Sequence, residues 1–479
     1  MASREWQNRQ HPYARVPALQ NPTVRRRLGV FAMIVLVLGL SAGTGLLTGG
    51  YYSRLGLLAA YALLIGLVGF FYISERLNLG MLLLLFTAGF VPLSLPTGTA
   101  SRIPDSMVIA VALAAVWVIR MLVVDKRFHL ASSPTNAPVL LWIIVTVISL
   151  AWSMYFRDPQ VVIWDSFPLV QVASAVLMVA LPAAYLLVGN FVREGWVLKL
   201  MALMMVVLGV AALGQHFIGI DLGILNNGGL MYMWAAGISL SLALFNERLP
   251  LPFRALLLAH AVGWEVWGFF MNISWVAGWF PGFIAMGLLV LIRSRKLVVA
   301  AIPAVIGAAL LNIDYIKDRL NDETNESGIT RLAAWAVNWR VTSEHWLFGT
   351  GPGGYAAYYM TYFPFAGMAT HNNYLDIFAQ TGFVGMAVWL WLFGAMLWQG
   401  GRLVWRLRGR RDFYEAMANM AFAGTVACVV IMFFGDWMVP FAYTQTIAGF
   451  DYAVFNWIFL GTITAIDHMI PAETGAAHV

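Results

Sequence analysis

The chain has a single cysteine, Cys428, in 479 residues. One thiol excludes an intrachain disulfide framework and a multi-thiolate metal site, and its place inside an apolar run reads as a small buried side chain. Charge is scarce as well: 11% of residues are Asp, Glu, Lys or Arg, against 61% hydrophobic. A soluble fold would leave more apolar surface than one core can hide, so the bilayer is the main solvent. The sequence also lacks His-Glu-x-x-His, a Cys/His ligand cluster, a P-loop and Asp-x-Asp. A hydrolytic zinc site or a metal-dependent nucleotide-sugar transferase therefore has no support, and neither metal nor cofactor is expected. The string Gly349, Gly351, Gly354 follows no strand and encloses Pro352. It reads as a turn between two helices and not as a dinucleotide site. The net charge of +6 is spread over short loops without forming a patch, which fits a membrane partner and not nucleic acid.

What the chain does have is repeated apolar runs. A crossing helix needs about 20 mainly apolar residues. Such runs lie near 28–48, 54–73, 78–95, 106–124, 138–155, 170–190, 196–217, 228–246, 251–271, 273–292, 297–312, 372–399, 416–435 and 445–466. Lipid leaves no partner for an open strand edge, so the expected fold is all-α: a polytopic membrane protein of 12–14 transmembrane helices. With the first end inside, 22 of the 29 basic residues fall in cytoplasmic segments. That asymmetry predicts both termini in the cytoplasm, because basic short loops are translocated poorly. The expected organisation is a retained basic tail over 1–27, a transmembrane bundle over 28–312, one large extracytoplasmic loop over 313–370, further spans over 371–466 and a tail over 467–479.

The long loop draws attention because long structured loops on membrane scaffolds carry function. Its reading begins with an acidic stretch holding Asp322, Glu323 and Glu326, read as a solvated face. A helix follows from Thr330, as N-cap, to about Glu344, placing Arg331, Trp335 and Trp339 on one face. After the glycine turn, Tyr355, Tyr358, Tyr359 and Tyr362 recur at helical spacing. Two readings stand for these aromatics: a platform for sugar rings or a membrane-interface belt. His371 stands where the chain re-enters the membrane. It is either a polar cap on the next helix or a base for a hydroxyl nucleophile. Arg319, Arg331 and Arg340 are either headgroup anchors or clamps on a phosphate. Asp376, about a turn and a half deeper, can support His371, while Glu265, His216 and His260 are ionisable groups within spans.

His371-Asn372 followed by Gly382 and Gly385 resembles the signature ending the large periplasmic loop of the O-antigen ligase and Wzy polymerase superfamily. Ser327 to Arg331, Trp335, and His345 through Gly351 resemble the family's upstream pattern in order. The motif-bearing resemblance covers roughly residues 270 to 390. One position departs from many relatives: Ser274-Trp275 stands where they carry Ser-Arg.

The resemblance implies a metal-independent glycosyl transferase of the bacterial inner membrane. It would move a glycan from undecaprenyl diphosphate to a sugar hydroxyl on lipid A-core, or, for a polymerase, on another lipid-linked repeat. It puts His371 at the position of the catalytic histidine and Arg331 at that of a diphosphate- or glycan-binding arginine. Arg319 is a second basic group, and Asn372, Asp376, Gly382 and Gly385 support the site. Two other classes stay open. A transporter or flippase would line a cavity with Glu265, His216 and His260, and a peptidoglycan-type glycosyltransferase would use a loop carboxylate such as Asp322.

Overall fold

The computed structural model describes residues 76–91, 93–96, 101–219, 228, 230–272, 276–296, 329–364 and 370–470, with isolated positions between 299 and 317. The predicted spans at 28–48 and 54–73, most of 297–312, and Ser274-Trp275 lie outside these residues. The described chain is almost entirely helix: α1 (Leu77–Phe90), α2 (Asp105–Ile119), α3 (Asn136–Tyr155), α4 (Phe167–Phe191), α5 (Gly195–Ile218), α6 (Met231–Phe245), α7 (Leu251–Met271), α8 (Val276–Arg293), α9 (Ile329–Glu344), α10 (Tyr355–Tyr362), α11 (Asn373–Leu407), α12 (Phe413–Ile431) and α13 (Phe450–Met469). Among the described residues, seven helices are long and apolar enough to cross a membrane. The protein is an all-α, multi-pass membrane protein.

Two predicted boundaries change. The span expected over 78–95 stops at Phe90, and a two-stranded hairpin, β1 (Ser94–Pro96) and β2 (Arg102–Pro104), follows with Leu95 opposite Ile103. The apolar Leu93 and Leu95 that extended the run on paper belong to this hairpin. Conversely, the run expected over 372–399 is helical to Leu407. Its last turns carry Arg402 and Arg406, which a hydropathy reading places outside the span.

The chain forms two units. In the unit of residues 1–80 with 115–129, the helical residues 115–119 continue into a π-helical turn, Arg120–Val124, and Arg120 pairs with Asp125 at 3.8 Å. The unit of residues 81–114 with 130–479 holds every site discussed below. Within it α13 packs along α4, α6 against α5, α7, α8 and α12, and α11 against α3 and α12. Fully buried Trp142, Trp234, Trp389 and Trp457 fill the interior.

Many of the polar groups inside these helices are satisfied by one another, as a low-dielectric interior favours. Thr135, Tyr185, Thr464, Gln399 and Ser133 form one hydrogen-bonded set. His260 is held between Ser239 at 2.8 Å and the Trp264 indole N–H, which donates to its Nε2 at 3.1 Å. His216 stacks on Trp267 at 4.1 Å. The two histidines predicted as possible cavity liners are thus packed among aromatic rings.

Candidate active site

The site is assembled from α9, the glycine turn, α10, the start of α11 and the loop 432–446 between α12 and α13. Helix α9 begins at Ile329, so Thr330 lies inside it and is not its cap. Trp335 donates its indole N–H to the Thr370 carbonyl at 2.7 Å. Trp339, one turn on, stacks against Phe378 of α11 at 5.8 Å. The predicted Arg331, Trp335, Trp339 face is therefore the face that α9 turns toward the start of α11. Arg331 is half-buried one turn before Trp335. Arg319 and Asp322 lie outside the described residues. Arg340 lies over the Phe363 ring at 5.6 Å.

Three of the four tyrosines of α10 are buried and so form neither a platform nor a belt. Tyr355, Tyr358 and Tyr359 are buried, and Tyr355 stacks on Phe441 at 4.2 Å with the rings nearly parallel. Tyr359 donates to the Ala334 carbonyl of α9 at 2.7 Å, and Tyr355 donates to Asp376 at 2.7 Å. Burial, reinforced by the Asp376 carboxylate, holds the Tyr355 phenol far above its ordinary range, so it stays a neutral donor. Tyr362, at the exposed end, donates to Asp158, whose carboxyl is held low first by that bond and then by the Gln160 amide. Because folding lowers the Asp158 pKa, this tie is present above the ordinary carboxylate range and is lost as pH falls through the lowered value. Protection of the Gln160 and Val162 amides, taken relative to the intrinsic exchange rate at each pH, is expected to fall on acidification, and to fall less in a Tyr362→Phe variant, which lacks the tie already.

The glycine turn docks on α11 and leaves no cradle for a nucleotide. Thr350 and Gly351 donate their amides to the Ala379 and Gln380 carbonyls, and Gly353 donates to the Gln380 side chain. Across this seam α11 breaks at Gly382, whose φ of 65° and ψ of −164° are non-helical. The freed amides of Phe383 and Val384 donate instead to the Trp346 and Leu347 carbonyls. A Cβ at Gly382 would stand 2.4 Å from the Leu347 carbonyl, and one at Gly349 2.5 Å from the Gln380 backbone. The two glycines mark one close approach of two backbones.

His371 sits at the centre of this framework. The helix cap is Asn372, whose side chain accepts from the Tyr374 and Leu375 amides. His371 is one residue outside, with φ of 47°, a left-handed conformation that costs a non-glycine residue on the order of 1 kcal/mol. Both flanks are pinned. Thr370 donates to Asp376 at 2.5 Å and receives Trp335, and Asn373 donates to the Val439 carbonyl at 2.8 Å while accepting from the Met438 and Val439 amides. The His371 side chain is left 40% exposed, with Nδ1 3.6 Å from an Asp436 carboxylate oxygen that is itself 2% exposed. Asp436 is fixed by Gln445 at 2.9 Å and Thr444 at 3.2 Å. Asp376 lies within electrostatic reach of both His371 and Asp436.

An exposed imidazole backed by a buried, hydrogen-bonded carboxylate is an arrangement that can accept a proton and hold it. Residues 226–390 match the family model described as O-antigen ligase. Over that stretch the chain is similar to O-antigen ligases. A search of curated proteins found no match. The matched stretch includes Arg331, His371, Asn372, Asp376, Gly382 and Gly385, whereas Asp436 lies beyond its end.

Asp436 is the residue that the sequence reading missed. Its only signal there is an acidic group at the edge of an apolar run, in the segment facing the same side as the long loop. Asn373 explains why it arrives at His371, since its side chain ties the 432–446 loop to α11 by three bonds. An Asn373→Ala variant orphans those buried groups and is expected to cost about 2–4 kcal/mol. A lowered melting temperature of the purified protein is the expected measurement.

Proposed function

We propose that the protein transfers a glycan from undecaprenyl diphosphate to a sugar hydroxyl on the extracytoplasmic face of the bacterial inner membrane. The observation that supports this best is the approach of Asp436 to His371, the histidine of the segment that matches O-antigen ligase. In this reading the acceptor hydroxyl gives its proton to His371 Nε2 as its oxygen bonds to the anomeric carbon. Nδ1 faces Asp436, whose carboxylate stabilises the imidazolium that forms. The bond from the anomeric carbon to the diphosphate oxygen breaks, and the leaving diphosphate carries away the negative charge. Arg331 would stabilise that charge with paired N–H donors, and Arg319 would add to it, without a metal.

Asp376 is assigned a positioning role through Thr370, the residue immediately before His371. Asp436 acts on the imidazole directly. A charge pair at this distance contributes up to about 4 kcal/mol at an effective dielectric of about 20. With the imidazole partly exposed to solvent the effect is smaller, and Asp436→Asn is expected to slow transfer about tenfold to a hundredfold. The rate of glycan transfer by purified protein measures it, and an unchanged rate removes Asp436 from the mechanism.

The acceptor separates ligase from polymerase, and the ligase reading follows the His-Asn form of the motif. Deleting the gene tests it: loss of a ligase leaves long polymer on the lipid carrier, while loss of a polymerase leaves single repeats.

A further inference from the structure

The opposite end of α11 holds a cavity of about 570 Å³, between the last turns of α6, α8 and α11 and the first of α12. From the break at Gly382, α11 runs on to Gly401 and Arg408 of the cavity, roughly 30–40 Å of helix, which spans the roughly 30 Å hydrocarbon thickness of a bilayer. The cavity is therefore at the other membrane face from His371.

Its lining changes from apolar to basic. Leu288, Leu291 and Val404 form the membrane-side wall, while Arg295 and Arg408 stand at the mouth with Arg293 and Arg411. The acidic groups there are already engaged. Glu247 accepts from Arg293 at 3.0 Å and from Arg411 at 3.1 Å, and Glu415 accepts from the Gly409 and Arg411 amides. Arg295 and Arg408 are exposed and make no ion pair with a described residue. Deeper in the cavity Asn419 is 1% exposed, and its Nδ2 has no hydrogen-bond acceptor. A buried amide donor without a partner costs about 1–3 kcal/mol, which a bound acceptor oxygen would recover.

We propose that this cavity binds an anionic phospholipid. Its phosphodiester would lie between Arg295 and Arg408, a glycerol ester carbonyl would accept from Asn419 Nδ2, and an acyl chain would follow Leu288 and Val404 into the membrane. Each feature of the cavity then has a counterpart at the matching depth of a diacyl lipid. An undecaprenyl phosphate shares the phosphate chemistry but has no ester carbonyl for Asn419. It would also place a carrier lipid at the face away from His371.

The test is native mass spectrometry of the full-length protein, released from detergent in the presence of phosphatidylglycerol, phosphatidylcholine with the same chains, or undecaprenyl phosphate. Phosphatidylglycerol should be retained in preference to both. Arg295→Gln and Arg408→Gln should each weaken retention about fivefold and together about 25-fold. Asn419→Leu should weaken retention of phosphatidylglycerol as well, and His371→Ala should leave it unchanged. Both arginines are exposed, so the double variant keeps the test valid if Asn419→Leu fails to fold. Equal retention of phosphatidylcholine, or undiminished retention by the double variant, overturns the site. Displacement of phosphatidylglycerol by undecaprenyl phosphate, dependent on the same arginines, overturns the phospholipid assignment in favour of a carrier lipid.

Discussion

Replacing His371 with alanine is expected to abolish glycan transfer, by about 10²–10⁴-fold if the imidazole is the general base. Surface glycan resolved on a gel should vanish while the membrane level of the protein stays at that of the parent. A His371→Gly variant separates chemistry from folding. Glycine adopts φ of 47° without strain, so this variant should be as stable as the parent or more stable, and equally inactive. A histidine kept where glycine would be more comfortable is kept for its side chain. Normal glycan in either variant would remove His371 from the mechanism.

The largest structural effect is expected at Gly382. Alanine there must adopt a backbone conformation essentially reserved for glycine, and its Cβ would lie 2.4 Å from the Leu347 carbonyl. Strain and overpacking together are expected to cost about 3–5 kcal/mol. The seam between the glycine turn and α11 would open, carrying α9 and α10 away from His371. Thermal unfolding of purified Gly382→Ala should show a large drop in midpoint and loss of transfer together. By contrast Gly394, lower on α11, would meet nothing within 4 Å on gaining a Cβ, and Gly394→Ala should leave both unchanged.

These two residues differ in how they could be read. His371 and Gly382 both stand in the motif, and resemblance marked them as a group without giving either its physical reason. The structure supplies it for Gly382 as a crossing of two backbones, visible only when Leu347 and Gly382 are brought together. For the tyrosines of α10 the helical period was legible and the environment was not. Sequence spacing states which residues share a face. It does not state whether that face meets lipid, sugar or Phe441.

The chain alone settles the solvent and the local elements. Apolar runs of span length, the shortage of charge and the placement of glycine and asparagine are short-range properties, and they suffice to predict a multi-pass helical protein with α9 and α10 in one long loop. Tertiary structure decides the composition of the site. Asp436 follows His371 by 65 residues, and nothing in local propensity or hydropathy joins them. Their approach depends on Asn373 holding the 432–446 loop, and on Trp335 and Asp376 holding Thr370. Those are long-range hydrogen bonds formed only after the helices have packed.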